Sequence, residues 1–398
     1  MQGMTADEVA ARLAVKVDTV YAYVSRGVLR SWKEPQSRTS RFDPGEVEAL
    51  ARRGRPRRAS RPPALDFMIQ TALTTIGDHD VHYRKQSALA LARTATFEEV
   101  AQLLWTGRRD VRPAGWSAAP IVLPEVPAAR DRLRIAVVMA AAADPFRADL
   151  SVPAVVDRAA SLIATMTEAV PSTGHSRSAR LSLDDGAPPR RGTIAGRLWG
   201  RLAGVRATPE LVGTLNAALV LLADHELAAS TLAARVAASA RADPYAVVLA
   251  GLGPLSGSLH GGAPLLAAQL LQAAAESGPD AALARALEVH GRVPGFGHPL
   301  YPDGDPRARV LLELLRRASP GQAALGVADR VVATVRRRSQ LEPTVDLALA
   351  TLALVTRMPA DAGEVIFAIA RTAGWIAHGI EEYGEEPLRF RARAVARS

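Results

Sequence analysis

The first fifty residues contain three short segments in which apolar side chains recur with helical spacing. Thr5 and Glu8 begin the first segment three residues apart, which is the spacing of a capping box that satisfies free backbone amides at a helix start. We therefore predict a helix through about Leu13. In the second segment, one predicted helical face consists of Val17, Val20, Tyr21 and Val24. That face should pack on the first helix and leave outward Asp18, Thr19, Ala22 and Tyr23.

Gly27 is expected to end the second helix, and the polar stretch from Ser31 to Arg41 predicts a hairpin. The segment 43–46, Asp-Pro-Gly-Glu, supplies an N-cap, a proline at the first helical position and an acidic residue in the first turn, so it should open a third helix. Residues 53–64 are rich in arginine and proline and have no apolar period, which is typical of a linker. The pattern thus predicts a small domain over residues 1–52.

From Leu65 onward, long segments rich in alanine and leucine alternate with glycine and proline breaks, which predicts an all-α core. A polar loop should interrupt it from about Pro171 to Arg191. The longest stretch without charged residues, Pro244–Ala275, exceeds the length that spans a bilayer but contains repeated glycines and prolines. We interpret it as a buried segment of a globular protein and expect no membrane association.

The amino-acid composition and the N-terminal sequence add to this prediction of fold and domains. The chain has no cysteine, which excludes disulfides, thiolate nucleophiles and thiolate zinc sites. The N-terminus shows no signal peptide pattern, so the expected location is the cytoplasm. Of the formal net charge of +9, residues 1–64 carry 13 Lys/Arg against 7 Asp/Glu, a surplus of +6. This asymmetry fits a polyanion partner at the front of the chain, although a solvated basic linker produces the same surplus.

Three histidines lie beside glycines, prolines or acidic residues: His225 in ADHEL, His260 in GSLHGGA and His298 in GFGHPLY. Neighbouring glycines allow a ligand to approach the backbone, and histidine can donate or accept a proton near neutral pH. Each one alone is more often a hydrogen-bonded core residue. No pair has the spacing of ligands on one helix, so we expect no metal site.

Two family resemblances follow from these segments. The stretches TADEVAARLAVKVDTVYAYVSRGVL and RFDPGEVEAL resemble the winged helix-turn-helix of MerR-type proteins. The second resemblance is to the citrate synthase family over roughly residues 65–393. It rests on TATFEEVAQLLWTG, LADHELAASTLAARVAAS, GFGHPLYPDGDPRA, PTVDLALATLAL and IFAIARTAGWIAHGIEE, in the order found in that family.

The citrate synthase resemblance implies condensation of an acyl-CoA with oxaloacetate and assigns the reacting groups. Asp346 matches the family's catalytic base, His260 the histidine on the thioester carbonyl and His298 the histidine on the oxaloacetate carbonyl. His225 matches a further oxaloacetate contact. Without the resemblance, Asp346 would be interpreted as a helix N-cap.

Arginines are expected because oxaloacetate carries two carboxylates, and a guanidinium pairs with a carboxylate through two parallel hydrogen bonds. Arg307 follows His298 by nine residues, as in the family, and Arg371 matches a second family arginine. Arg371 should share a helix face with Gly374, Trp375 and His378. Arg389 matches the arginine that such enzymes donate across a dimer, whereas a surface salt bridge is its ordinary interpretation.

The resemblance further implies a homodimer in which each subunit has a large domain, residues 65–257 and 352–398, and a small domain, residues 258–351. The acyl-CoA is a substrate, and no other cofactor is expected. Departures from the family concentrate where CoA should bind, among them Pro264, Pro299 and Pro302. They argue for altered affinity or acyl preference. Acetyl-CoA is the expected substrate, with 2-methylcitrate synthase and citryl-CoA lyase-like activities as alternatives within enzymes.

A ligand-sensing transcription regulator is the competing class, since the same pocket could report to the N-terminal domain without turnover. The candidate base argues against it, because a sensor needs none. If residues 1–60 bind DNA, the predicted outward positions of the second helix offer no arginine, asparagine or glutamine for base edges. Contacts would then depend mainly on phosphates, through a set consisting of Lys16, Thr19, Arg26, Arg38 and Arg41.

Overall fold

The computed structural model describes residues 3–13, 15, 17–25, 29–33, 40–52, 68–77, 79–109, 116–126, 128–172, 192–257 and 260–391. The chain divides into two compact units, residues 1–69 and 70–398. The predicted linker at 53–64 and most of the predicted polar loop at 171–191 lie outside the described residues.

The first unit combines three helices with a small antiparallel sheet. The helices are α1 (Ala6–Leu13), α2 (Val17–Ser25) and α3 (Pro44–Arg52), and the strands are β1 (Met4–Thr5), β2 (Ser31–Lys33) and β3 (Ser40–Phe42). The sheet order is β1-β3-β2, with Met4 opposite Phe42 and Trp32 opposite Arg41. The predicted hairpin is thus confirmed in its two strands, whereas the pairing of β1 with β3 has no counterpart in the sequence prediction.

Capping sets the helix starts in this unit as predicted. The Thr5 amide donates to the Glu8 carboxylate at 2.7 Å, and the Glu8 amide donates to the Thr5 hydroxyl at 3.3 Å. The Glu46 amide donates to the Asp43 carboxylate at 3.0 Å and begins α3. Gly27, the predicted end of α2, lies outside the described residues.

The predicted face of α2 is confirmed for Val17, Val20 and Val24, which pack in the core of the unit, but it is wrong at the two tyrosines. Tyr23 is buried in the core of the unit with Val9, Leu29 and Phe42, whereas Tyr21 is 47% exposed. Helical periodicity alone is compatible with either Tyr21 or Tyr23 facing the core beside Val20. The returning chain decides between them, because the Leu29 amide donates to the Tyr23 carbonyl and brings Leu29 against that side of the helix.

The second unit is helical, as predicted, apart from one small sheet. Its strands are β4 (Thr74–Ile76), β5 (Val81–Tyr83) and β6 (Gln86–Ser87), antiparallel in that order. Its helices are α4 (Ala88–Thr94), α5 (Phe97–Thr106), α6 (Ala129–Ala143), α7 (Val152–Ala169), α8 (Ile194–Leu202), α9 (Pro209–Leu222), α10 (Ala229–Ser239), α11 (Pro244–Leu255), α12 (Ala263–Ser277), α13 (Pro279–His290), α14 (Pro306–Ala318), α15 (Ala323–Ser339), α16 (Val345–Thr356) and α17 (Ala362–Tyr383).

Helix α17 forms the centre of the unit. It is buried along most of its length and packs on α5, α7, α9, α10, α11 and α12. A helix surrounded on most sides needs apolar or internally paired residues there, which explains why the buried Arg371 and Glu382 hydrogen-bond to other parts of the protein.

A second apolar cluster forms among α12, α13, α15 and α16. Helix α16 contributes to both clusters, with Leu347 and Ala350 in the smaller one and Ala348 and Leu352 in the larger one. Its nearly continuous apolar sequence is therefore used on two faces. The uncharged stretch Pro244–Ala275 forms α11 and most of α12, and none of the described helices is long and apolar enough to cross a membrane.

Candidate functional site

The structure brings His225 and His298 together although 73 residues separate them in sequence. His225 follows the end of α9, and His298 lies in the loop between α13 and α14. Their ring centroids are 5.7 Å apart in an edge-on arrangement. The Tyr301 hydroxyl lies 2.8 Å from His225 Nε2, and the Tyr301 ring is also 5.0 Å from that of His298. Tyr301 therefore joins the two histidines.

Helix α17 holds the backbone just before His225. Arg371 Nε donates to the Leu222 carbonyl at 2.8 Å, and the Gly374 amide donates to the Ala223 carbonyl at 3.0 Å. A Cβ at position 374 would lie 2.5 Å from Asp224 Oδ1, so only glycine allows this approach. The predicted shared face of α17 is confirmed for Arg371, Gly374 and His378, which all contact the segment 222–224. Trp375, the fourth predicted member, instead packs against Gly251 of α11.

His260 lies in the turn before α12 and faces α10 and α17. Its Nε2 is 2.8 Å from the Ser230 hydroxyl, and its ring is 5.7 Å from that of Phe367. The Arg371 guanidinium lies 4.7 Å from the centroid of the same Phe367 ring, so Phe367 contacts both His260 and Arg371. Burial, aided by the charge of Arg371, lowers the pKa of His260 to about 4, so its imidazole is neutral at pH 7.

The loop that carries His298 is fixed against the start of α16. Gly295 and Gly297 both have positive φ, and they exchange backbone hydrogen bonds with residues 342 and 344. The Leu300 amide donates to His298 Nδ1 at 3.2 Å, which places the proton of a neutral ring on Nε2. Burial and the charge of Arg307 lower the pKa of His298. For His225, burial followed by the nearby arginines lowers the pKa well below 6.5.

Asp346 occupies the first turn of α16 but is not its N-cap. Thr344 holds the N-cap position, and its hydroxyl donates to Asp346 Oδ2 at 3.1 Å. The alternative interpretation of Asp346 as a cap is therefore wrong. Burial raises the pKa of Asp346 to about 6, against smaller lowering effects of Arg307 and Thr344. A carboxylate with such a pKa can accept a proton near neutral pH more readily than an ordinary aspartate.

The two predicted arginines are both buried but differ in their pairing. Arg307 donates through Nε and a terminal nitrogen to the two oxygens of Asp305, at 3.0 and 2.9 Å. Asp305 also accepts from the Val345 amide at 2.9 Å, which ties Arg307 to the start of the helix bearing Asp346. Arg371 leaves one buried terminal nitrogen without a hydrogen bond, and burial lowers its pKa to about 10.

Arg389 has an acidic and an aromatic partner near the C-terminal end of α17. Its guanidinium forms two hydrogen bonds of 2.7 Å with the buried Glu382 carboxylate, and it stacks 5.0 Å from the Phe390 ring. Within a single chain, Arg389 is thus an internal ion-pair partner. Of the residues in the predicted DNA set, Lys16, Arg26 and Arg38 lie outside the described residues, Thr19 is half-buried, and Arg41 donates to the Gly3 carbonyl at 3.2 Å.

Sequence reasoning assigned no role to several residues that complete this site. Tyr301 and Asp305 stand inside the quoted His298 segment, so their position beside the motif was the available signal. Ser230 contacts His260 from a separate helix, and only packing reveals this contact. Thr344 contacts Asp346 two residues away, and Phe367 contacts Arg371 one turn away on α17, so sequence spacing was the available signal for these two. The result is a helical site that combines three neutral imidazoles, a carboxylate of raised pKa and two buried guanidinium groups.

A comparison with known families agrees with this class of site. The family profile described as "Citrate synthase, C-terminal domain" matches residues 67–393, and the chain belongs to the citrate synthase family. It is 37% identical over 198 residues to the citrate synthase of Haloferax volcanii and 36% identical over 197 residues to citrate synthase 2 of Bacillus subtilis. Each match covers 48% of this chain, and the chain spans about half the length of these relatives, 52% and 53%.

Solved structures show the same fold. Citrate synthase from Thermotoga maritima matches with a TM-score of 0.66 and 24% identity, covering 83% of this chain and 94% of that chain. Citrate synthase from Thermoplasma acidophilum, in ternary complex with carboxymethyl coenzyme A and oxaloacetate, matches with a TM-score of 0.66, 25% identity and the same coverage.

Proposed function

We propose that the chain condenses an acyl-CoA, with acetyl-CoA as the expected substrate, with oxaloacetate and then hydrolyses the resulting citryl-CoA thioester. The observation that carries this proposal is the pairing of Asp346, with a pKa near 6, with neutral histidines and two buried arginines in one connected site. The complex of the Thermoplasma acidophilum enzyme with oxaloacetate and a CoA analogue supports the substrate pair.

In the proposed reaction, Asp346 removes a proton from the α-carbon of the acyl-CoA. His260 stabilises the enolate oxygen: in the tautomer that this step requires, the Ser230 hydroxyl, 2.8 Å away, donates to Nε2, and Nδ1 carries the proton of the neutral ring for the thioester oxygen. A neutral donor suits this step because it stabilises the enolate without fully protonating it.

The nucleophilic α-carbon then forms a bond with the ketone carbon of oxaloacetate. His298, whose Nε2 carries the proton, polarises the ketone and protonates the alkoxide that forms. His225 and Tyr301 supply the neighbouring contacts, and Arg307 and Arg371 bind the two carboxylates. Water subsequently cleaves the thioester, which releases CoA thiol and a tricarboxylate. The acyl-CoA is consumed as a substrate, and the proposed steps use no further cofactor.

We further propose a homodimer of two-domain subunits, with the large and small domains bounded as the sequence predicts. The smaller apolar cluster, which contains α12, α13 and α15, supports a separate small domain, whereas α14, also within 258–351, contributes Leu311 and Leu315 to the larger cluster. Exposed apolar side chains on and beside α6 support a subunit contact; these are Val138, Met139, Phe146 and Val152. Donation of Arg389 to a partner's site would require it to leave Glu382, a buried carboxylate that would then depend on Arg235 alone.

The acyl-CoA half of the site is proposed to have altered affinity or acyl preference. Pro299 and Pro302 are exposed on the His298 loop and add no charge for a CoA phosphate. Pro264 is buried at the start of α12 against Gly363 of α17. Preference for a longer acyl chain would favour 2-methylcitrate synthase activity, and cleavage without synthesis would favour a lyase.

The first unit is proposed to be a MerR-like winged helix-turn-helix domain that binds duplex DNA through phosphates. Its α1 and α2 pair, and the β2–β3 hairpin at the position of a wing, support this assignment. DNA binding would also be the output of the alternative function, a regulator that senses oxaloacetate or a CoA ester without turnover.

Thiol release from a panel of acyl-CoAs, measured with and without oxaloacetate, tests the enzyme proposal. We expect release that requires oxaloacetate and falls by several orders of magnitude in Asp346→Asn, which still binds oxaloacetate. Release that is absent with every acyl-CoA while oxaloacetate binds would instead favour the sensor. Near wild-type turnover in the variant would reject Asp346 as the base.

A salt titration on random and genomic duplex tests DNA binding. Affinity should fall steeply with salt because counterions are released. It should also be weaker when Lys16, Arg26 and Arg38 are all changed to Gln. The matched control carries the same change at three arginines of the second unit, Arg285, Arg317 and Arg338. Equal loss in both variants, or no binding at low salt, would reject the first unit as a DNA reader.

A further inference from the structure

A buried chain of hydrogen-bonded polar side chains runs from the segment before His225 to the end of α17. Asp224 Oδ2 lies 3.2 Å from His378 Nε2, and His378 Nδ1 lies 2.9 Å from an Arg235 terminal nitrogen. Arg235 in turn donates to Glu382 at 3.0 Å and to Glu381 at 2.6 Å. The side chains of Asp224, His378, Arg235 and Glu382 have no solvent exposure.

The partners of His378 determine where its proton lies. Arginine can only donate, so Nδ1 of His378 must accept from Arg235. The proton of the neutral ring is therefore on Nε2 and is directed at the Asp224 carboxylate. Asp224 also accepts from the Thr74 hydroxyl at 2.5 Å. Burial alone would raise the pKa of Asp224, but the hydrogen bond from neutral His378 and the charge of Arg371 hold it below its ordinary value, so Asp224 is ionised.

An ionised Asp224 acts on two residues of the proposed oxaloacetate site. Its backbone leads directly into His225, and the next residue, Glu226, has a φ of +51°, a conformation that surrounding contacts must maintain. Its charge also opposes the lowering effect of burial on the pKa of Arg371. Fixing the Asp224 carboxylate therefore fixes the loop that carries His225 and favours a charged Arg371.

We infer that His378 is a positioning residue for oxaloacetate: by donating from Nε2 to Asp224 while accepting from Arg235, it holds His225 in place and maintains the anion beside Arg371. This inference rests on the proposed function for the identity of the ligand. His378 itself touches none of the reacting groups, since its ring nitrogens are both occupied by Arg235 and Asp224.

Two substitutions separate hydrogen bonding from space filling. In His378→Gln the side-chain amide can still accept from Arg235 and donate to Asp224, whereas His378→Leu fills similar space and can do neither. We expect the dissociation constant of oxaloacetate, measured by calorimetry on the full chain, to rise about tenfold to a hundredfold in the Leu variant and to stay within about threefold of wild type in the Gln variant. The KM for acyl-CoA should remain nearly unchanged in both.

Thr372→Val serves as the matched control on the same buried helix. The Thr372 hydroxyl donates to the Ala368 carbonyl and contacts Met166, away from Asp224. The Thr372→Val variant should lose some thermal stability and keep the oxaloacetate affinity of the wild type. Oxaloacetate affinity equal to wild type in His378→Leu, or equally weakened in the Leu and Gln variants, would overturn the inference.

Nitrogen-15 NMR of labelled histidines tests the arrangement without any substrate. The chain has eight histidines, and spectra of His378→Gln and His225→Gln identify the two signals of interest. We expect His378 to be protonated on Nε2 alone, and the His225 signal to shift in His378→Leu but not in His378→Gln. Failure of the wild type to bind oxaloacetate would overturn the proposed function, and the NMR result would still decide the inference. A His378 protonated on Nδ1 would overturn it.

Discussion

Replacing Asp346 with Asn should stabilise the protein while abolishing the proposed chemistry. Asp346 is partly buried in the first turn of α16, where desolvation raises its pKa from 3.8 to about 6. Between these two pH values the folded protein keeps a proton that the unfolded chain has lost, so stability falls as the pH rises through this window. Asparagine removes the buried charge and can still accept from the Thr344 hydroxyl.

The size of the effect follows from the pKa difference. A shift of roughly two units corresponds to about 3 kcal/mol at pH 7.5, where the folded carboxyl is ionised, and to well under 1 kcal/mol near pH 4. These are upper values, because the side chain keeps some solvent contact. With the unfolding entropy typical of a unit of this size, the gain corresponds to a rise in Tm of at most about 4 °C at pH 7.5.

Calorimetric melting of wild type and Asp346→Asn at pH 7.5 and pH 4 measures this difference. The same substitution at Asp305 is the contrasting control: its carboxylate pairs with Arg307 through two hydrogen bonds, and that partner holds its pKa below the ordinary value despite burial. Asp305→Asn should therefore lower the Tm. A Tm for Asp346→Asn at or below wild type at pH 7.5, or a gain of equal size at both pH values, would refute the argument from burial.

Three further predictions concern the same site. The kcat/KM for acyl-CoA should fall about tenfold per pH unit below pH 6 as Asp346 is protonated. Thr344→Val should move this acidic limb of the pH profile about half to one pH unit higher, because it removes a hydrogen bond to the ionised carboxylate. An acidic limb that does not move would contradict the link between Thr344 and the pKa of Asp346. Arg371→Leu should weaken oxaloacetate binding by about 2 kcal/mol or more by calorimetry, and unchanged affinity removes Arg371 from the site. Gly374→Ala should lower oxaloacetate affinity, because the added Cβ displaces the loop before His225. Gly379→Ala should leave the affinity unchanged, since the nearest neighbour of its Cβ is a valine methyl at 3.3 Å. Equal losses of affinity in the two variants would contradict this prediction.

Local patterns determined the features that depend on neighbours in sequence. The capping box at Thr5, the N-cap at Asp43, the helical character of the core and the identity of the histidine segments all follow from residues within a few positions of one another. Such features can be predicted from sequence because the free backbone amides at a helix start are hydrogen-bonded by side chains about three residues away. The choice between Tyr21 and Tyr23 was beyond this range, as Leu29 and the β-strands decide it.

The contacts that tune the site belong to the tertiary structure. The pKa of Asp346 depends on burial by distant helices, and the shared face of α17 acquires its meaning only when the segment 222–224 lies against it. The small sheet of β4, β5 and β6 likewise has strands too short to give a reliable pattern. Sequence thus determined which chemical groups are available, whereas packing decided their protonation and partners, because desolvation and long-range hydrogen bonds exist only after residues far apart in the chain have come together.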